Sequence, residues 1–195
     1  MLTKISGLLK KYANGWIVLI FFAGEMLFNA VILPNQQAKI EAASGGTGPI
    51  DLQLFYTPEK VYSMIEAYGD AGRNLYRTVE LTVDIIYPIV YTLFFALFVT
   101  WLFQRGFAAD SRVQNWNVIP LGAWLFDLLE NIGIVTMLSI YPSTPAALAW
   151  LTALFTLVKW LFAGVTIVLI LIGLVMAIKN GFKKQNAMSP AKIQF

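Results

Sequence analysis

The chain has 195 residues, of which 58% are hydrophobic and 13% charged, with a net charge of +3 and a mean hydropathy of +0.67. Soluble domains carry roughly a quarter charged residues, and a folded core of this size cannot hide such an apolar excess, so the chain requires lipid. Cys and His are both absent, which excludes disulfides, thiol nucleophiles, Cys/His zinc sites, histidine haem ligation and Ser–His catalysis. Any chemistry falls to carboxylates, Lys, Arg, Tyr, hydroxyls and amides.

In chain order, residues 1–13 predict an amphipathic helix. Leu2, Ile5, Leu8, Leu9 and Tyr12 share one face and Lys4, Lys10 and Lys11 lie opposite, the pattern of a helix lying in a membrane interface. A first span is expected over 16–33, read as a retained helix rather than a cleaved signal. Residues 34–70 form an external segment. Its Gly-rich stretch near Gly45, Gly46 and Gly48 is a loop, and Thr57, Pro58 and Glu59 read as N-cap, first helical proline and first-turn acid. The external helix that follows has Val61, Met64, Ile65 and Tyr68 on its apolar face. It is read as a lid joined through Gly69 and Gly72. Further spans are expected over 81–103, 118–140 and 148–178, each long enough for a bilayer that needs about 20 helical residues, and 179–195 is a tail. The fold expected is all-α: one polytopic domain, 1–195, with four transmembrane helices in a bundle.

Orientation follows from the cations. Lys4, Lys10, Lys11, Arg105, Arg112, Lys179, Lys183, Lys184 and Lys192 fall on one side, and Lys39, Lys60, Arg73 and Arg77 on the other. The positive-inside rule then places both termini in the cytoplasm of a plasma or bacterial inner membrane. The basic balance implies contact with anionic headgroups, with no nucleic-acid partner.

Charged groups within spans are costly and therefore informative. At about 100° per residue, Arg73, Arg77, Glu80, Asp84, Tyr87 and Tyr91 fall within an arc of about 80°. The third span carries Asp127, Glu130 and Asn131 beside Trp124; the first carries Glu25 and Asn29; the fourth carries Lys159. With alternating span directions these groups fall in one layer in the outer half of the bilayer. The structural alternative is that Lys159 forms an ion pair with Glu25 or Asp127, that Asn29 and Asn131 bind helices together, and that Tyr87 and Tyr91 only pack. The acids outnumber the cations, however, and a buried carboxylate without a partner takes up a proton or binds a cation.

Asp84 and Asp127, with Glu80 and Glu130, are therefore the candidate catalytic groups for acid/base chemistry. Asp84, Asp127 and Glu130 are candidate ligands for Mg²⁺ or another divalent cation. Arg73, Arg77, Tyr87, Tyr91, Asn131, Trp124, Lys159, Glu25 and Asn29 are candidate substrate-binding residues. The substrate class is a membrane lipid or other lipid-like molecule such as an isoprenoid, with Arg73 and Arg77 placed for an anionic headgroup. Two further readings stand beside this one: a proton- or cation-coupled transporter working as a homodimer, and a non-catalytic subunit of another membrane protein.

Overall fold

The computed structural model describes residues 1–188, and every regular element among them is helical. The order is α1 (Leu2–Tyr12), α2 (Gly15–Leu27), a π-helical turn (Phe28–Ile32), α3 (Leu33–Ala43), α4 (Pro58–Ala67), α5 (Gly69–Glu80), α6 (Val83–Gly106), a 3₁₀ segment (Arg112–Val118), α7 (Pro120–Ile140) and α8 (Ala146–Met188). Four stretches are long and apolar enough to cross a membrane: Gly15–Ala43, Gly69–Gly106, Arg112–Ile140 and Ala146–Gly181. The expected tail from 179 is helical as far as Met188; residues 189–195, with Lys192, lie outside the described residues.

The first span starts where its sequence says it should. Asn14 caps α2, its Oδ1 accepting from the Ile17 N–H at 3.0 Å. It does not stop at residue 33. The π turn shifts the hydrogen-bond register just ahead of Pro34, so the proline opens α3 instead of ending the helix, and the chain stays helical to Ala43. Gln36 and Gln37 are thereby carried on the same rod as Glu25 and Asn29.

The second span shows the opposite departure. The expected continuous stripe from Arg73 to Tyr91 is cut at Leu81 and Thr82, where α5 ends, and Thr82 leaves helical geometry at φ −127 and ψ −75. The break separates the face carrying Arg73 and Arg77 from the face carrying Asp84, Tyr87 and Tyr91. A periodicity computed through the break cannot see this, because it assumes one uninterrupted helix.

α8 is the central post, packing against both α6 and α7, while α2 leans on α6 and makes no comparable contact with α7 or α8. Close approach depends on small residues. A Cβ at Gly106 would meet the Met176 Cβ at 2.8 Å, and one at Gly133 would overlap the Thr152 side chain. Large apolar side chains such as Trp16, Ile20, Leu161 and Val175 remain on the outer surface, where only lipid satisfies them. This is an integral membrane protein.

One end of the bundle carries a packed cover. Ile50, Tyr56, Val61, Ile65, Tyr68 and Tyr76 are buried with Ile134, Met137, Ala149 and Ala153 in one core. Thr57 caps α4 by accepting from the Lys60 N–H at 3.3 Å. The Glu59 backbone N–H and the Thr57 hydroxyl hold the Glu59 carboxyl below its usual range. Tyr62 donates to the Pro145 carbonyl at 3.0 Å and Tyr68 to the Gly48 carbonyl at 2.8 Å. At the opposite end α1 buries Ser6 and Leu9, and Asn117 joins Ser6 O at 3.4 Å to Thr100 at 3.0 Å. Leu2, Leu8 and Tyr12 stay exposed on α1.

Candidate functional site

Residues from all four long helices and from the loop between α3 and α4 meet around one cavity of about 490 Å³. The first helix lines it with Glu25, Asn29, Gln36 and Gln37, the loop with Asp51, and α6 with Asp84, Tyr87, Tyr91 and Phe95. α7 adds Ala123, Asp127 and Asn131, and α8 adds Lys159, Trp160, Ala163 and Ile167. The wall is graded along its length. The carboxylates, amides and phenols gather toward the end beneath the cover, beside apolar residues such as Leu33, Ile40 and Val79, and the other end is formed by Phe95, Pro120, Ala123, Ala163 and Ile167 with Thr166 as its polar member.

The polar end is organised by Lys159, whose Nζ lies 3.1 Å from Asp127 Oδ1 and 2.5 Å from Glu130 Oε2. Asp127 and Glu130 are three residues apart on α7, and they approach the ammonium from two sides. Asp127 faces the cavity and accepts from the Tyr91 hydroxyl at 3.3 Å. Glu130 faces α8 and accepts from the Thr156 hydroxyl at 2.7 Å. Lys159 also donates to the Asp51 carbonyl at 3.4 Å and lies 5.5 Å from the centre of the Trp160 ring. A charge this deep is tolerable only with such pairing.

A second group adjoins the first through the Tyr87 and Tyr91 rings, whose centroids are 5.2 Å apart. Glu25 is 6% exposed; its Oε1 accepts from Asn29 Nδ2 at 2.8 Å and from the Tyr87 hydroxyl at 3.3 Å. Its other oxygen has no hydrogen-bond partner. The Asp84 carboxylate also lines the cavity, and no described residue forms an ion pair with it. Asn131 Nδ2 donates to the Asp84 backbone carbonyl at 2.8 Å, tying α7 to the first turn of α6 just past the break.

Not every residue expected at the site is at this cavity. Arg73 is paired with Asp70, donates to the Ile65 carbonyl at 3.1 Å, and lies over the Tyr141 ring at 4.4 Å. Arg77 donates to Asn74 at 2.9 Å. Neither arginine lines the cavity, nor does Trp124. Glu80 is fully buried outside the lining, with neither carboxylate oxygen hydrogen-bonded. Among the described residues no three acidic side chains converge to hold a metal ion. The set Asp84, Asp127 and Glu130 is divided, because Lys159 draws the last two.

Sequence periodicity missed Asp51, Tyr76, Gln36 and Gln37. The Tyr76 hydroxyl accepts from the Ile50 N–H at 2.8 Å and the Asp51 N–H at 3.3 Å, and donates to Asp51 Oδ1 at 2.6 Å. One phenol thus pins the loop that brings Asp51 to the cavity. Tyr56 sits behind Glu130, in reach of Thr156 at 3.5 Å, and burial pushes its phenol upward so that it stays neutral. Tyr76→Phe removes three hydrogen bonds at one buried point and leaves two amides without an acceptor, at about 1–3 kcal/mol for an unsatisfied buried group. Hydrogen exchange at Ile50 and Asp51 is expected to quicken about tenfold or more, with protection in α6 and α7 unchanged. Unchanged exchange at both amides would show that the loop is held by packing alone.

No family model matches this chain, and neither a curated protein nor a solved structure matches it.

Proposed function

We propose that this membrane protein is an enzyme that moves protons on a lipid-like molecule held in the cavity. The observation that carries this reading is the grading of a single cavity, with a carboxylate–lysine network at one end and an apolar wall at the other. An amphiphile matches that grading with its head beside Asp84, Asp127 and Lys159 and its chain along Phe95, Ala163 and Ile167. The sparse packing between the first helix and α8 supports sideways access from the lipid. Asp84, free of ion pairs, is suited to take a proton from the substrate, and Asp127, held by Tyr91 and Lys159, to stabilise charge beside it. The proton returned at another substrate atom comes from a group in exchange with water, so the step needs no second reactant.

The same reading places both termini in the cytoplasm, α1 under the inner leaflet, and the cover formed by the loop and α4 on the outer side of a plasma or bacterial inner membrane. A carrier would need polar groups along the other half as well, and the apolar wall below Tyr91 speaks against one.

Solvent deuterium provides the test. Membranes containing the wild-type protein are incubated in deuterium oxide and their lipids extracted for mass spectrometry. The proposal expects one amphiphile to gain carbon-bound deuterium, and that gain to vanish with Asp84→Asn. No gain, or an equal gain in the variant, would contradict it.

A further inference from the structure

The amphiphile-binding reading above leaves the headgroup unspecified, and the cavity's own charges specify it. Lys159 is the only cation lining the cavity among the described residues, and it is already engaged by both Asp127 and Glu130. No arginine reaches the wall, so a phosphate or carboxylate head would find no free positive partner. Among the charged side chains of the wall, the unused capacity is of the accepting kind. Glu25 is more than nine-tenths buried, lines the cavity, and keeps one carboxylate oxygen without a partner. The Asp84 carboxylate also lines this space and forms no ion pair among the described residues. Aromatic faces border the same region: Tyr87 and Tyr91 meet edge-to-face with ring centroids 5.2 Å apart, and Trp160 already has the Lys159 ammonium within 5.5 Å of its ring. Carboxylates combined with aromatic rings are the surroundings that stabilise an ammonium group removed from water.

We infer that the cavity takes a cationic amphiphile, a molecule with an amine or quaternary ammonium head set between Glu25 and Asp84 and an apolar chain directed toward Phe95 and Ile167. This rests on the amphiphile reading of the cavity and adds the sign of its charge. Glu25 and Asp84 hold the head from two adjacent helices, α2 and α6, which Tyr87 joins through its hydrogen bond to Glu25, and the Asp127–Lys159–Glu130 group, with one more carboxylate than ammonium, adds attraction rather than repulsion.

The purified full-length protein in an uncharged maltoside detergent supplies the test. The probe is a trimethylammonium amphiphile with a brominated dodecyl chain, whose bromine quenches indole fluorescence on contact. The signal is the difference in quenching between the wild type and Trp160→Phe. Saturable quenching is expected. An unbrominated dodecyltrimethylammonium competitor is expected to reverse it at a concentration about tenfold or more below that required for dodecyl glucoside or dodecyl phosphate. Glu25→Gln, which keeps the side-chain shape, is expected to weaken the cationic probe about tenfold and leave dodecyl glucoside unchanged, as the loss of one charge-assisted contact requires. If Glu25→Gln does not yield folded protein, Asp84→Asn decides by the same criterion. Equal competition by the uncharged or anionic molecule, or unweakened cationic binding in the variant, overturns the headgroup assignment and leaves the amphiphile reading intact. Absence of saturable quenching by any probe overturns both.

Discussion

Lys159→Met is expected to destabilise the protein more than any other single substitution at the site, by about 3–5 kcal/mol, the range for removing one partner from a buried ion pair. The ammonium is the meeting point of Asp127 at 3.1 Å and Glu130 at 2.5 Å, and without it two carboxylates remain buried with no cation. For a chain of this length the loss corresponds to a fall in Tm of the order of 10 °C. The triple variant Lys159→Met, Asp127→Asn, Glu130→Gln removes the acids together with the lysine, and is expected to recover most of that fall because no uncompensated charge is left. Thermal unfolding in detergent, followed by the fluorescence of the buried aromatic residues, checks both. An unchanged Tm in Lys159→Met would mean that the three charges are not a structural unit.

The second large effect is on activity. Asp84→Asn is expected to lower deuterium transfer into the amphiphile by about 10²–10⁴-fold, the usual contribution of a positioned acid or base, with little change in Tm. The reason is that the Asp84 carboxylate holds nothing together: the tie from α7 goes to its backbone carbonyl through Asn131 at 2.8 Å, and asparagine keeps that carbonyl. Asp127→Asn is expected to lower transfer to a similar extent but also to reduce Tm, because it removes one of the two ion pairs of Lys159. This contrast separates a chemical role from a structural one. Equal transfer by Asp84→Asn and wild type would remove Asp84 from the chemistry.

Much of this arrangement is legible from residue types. Apolar run length locates the spans, Thr57 marks a helix start, and the one-turn spacing of Glu25 with Asn29 and of Asp127 with Asn131 places those pairs on shared faces. What is not legible depends on backbone events with weak sequence signatures. The apolar run ends at residue 33, yet the π turn before Pro34 lets the first helix continue and deliver Gln36 and Gln37 to the cavity wall. Leu81 and Thr82 read as ordinary span residues, yet the helix breaks there, and neither Arg73 nor Arg77 lines the cavity. Asp51 has no periodic partner at all. It reaches the site because Tyr76, 25 residues later in the chain, gathers the loop around one hydroxyl. Contacts of that range are invisible to any pattern confined to a helical turn.

Native mass spectrometry of the full chain, purified gently from its own membrane, decides whether the graded cavity holds an amphiphile. The wild type is expected to carry one bound amphiphile per chain. Ala163→Trp, which fills the apolar end between Phe95 and Ile167, is expected to lose that species while remaining folded. A wild-type spectrum of bare protein alone, or an adduct retained undiminished by Ala163→Trp, would show that the cavity holds no amphiphile.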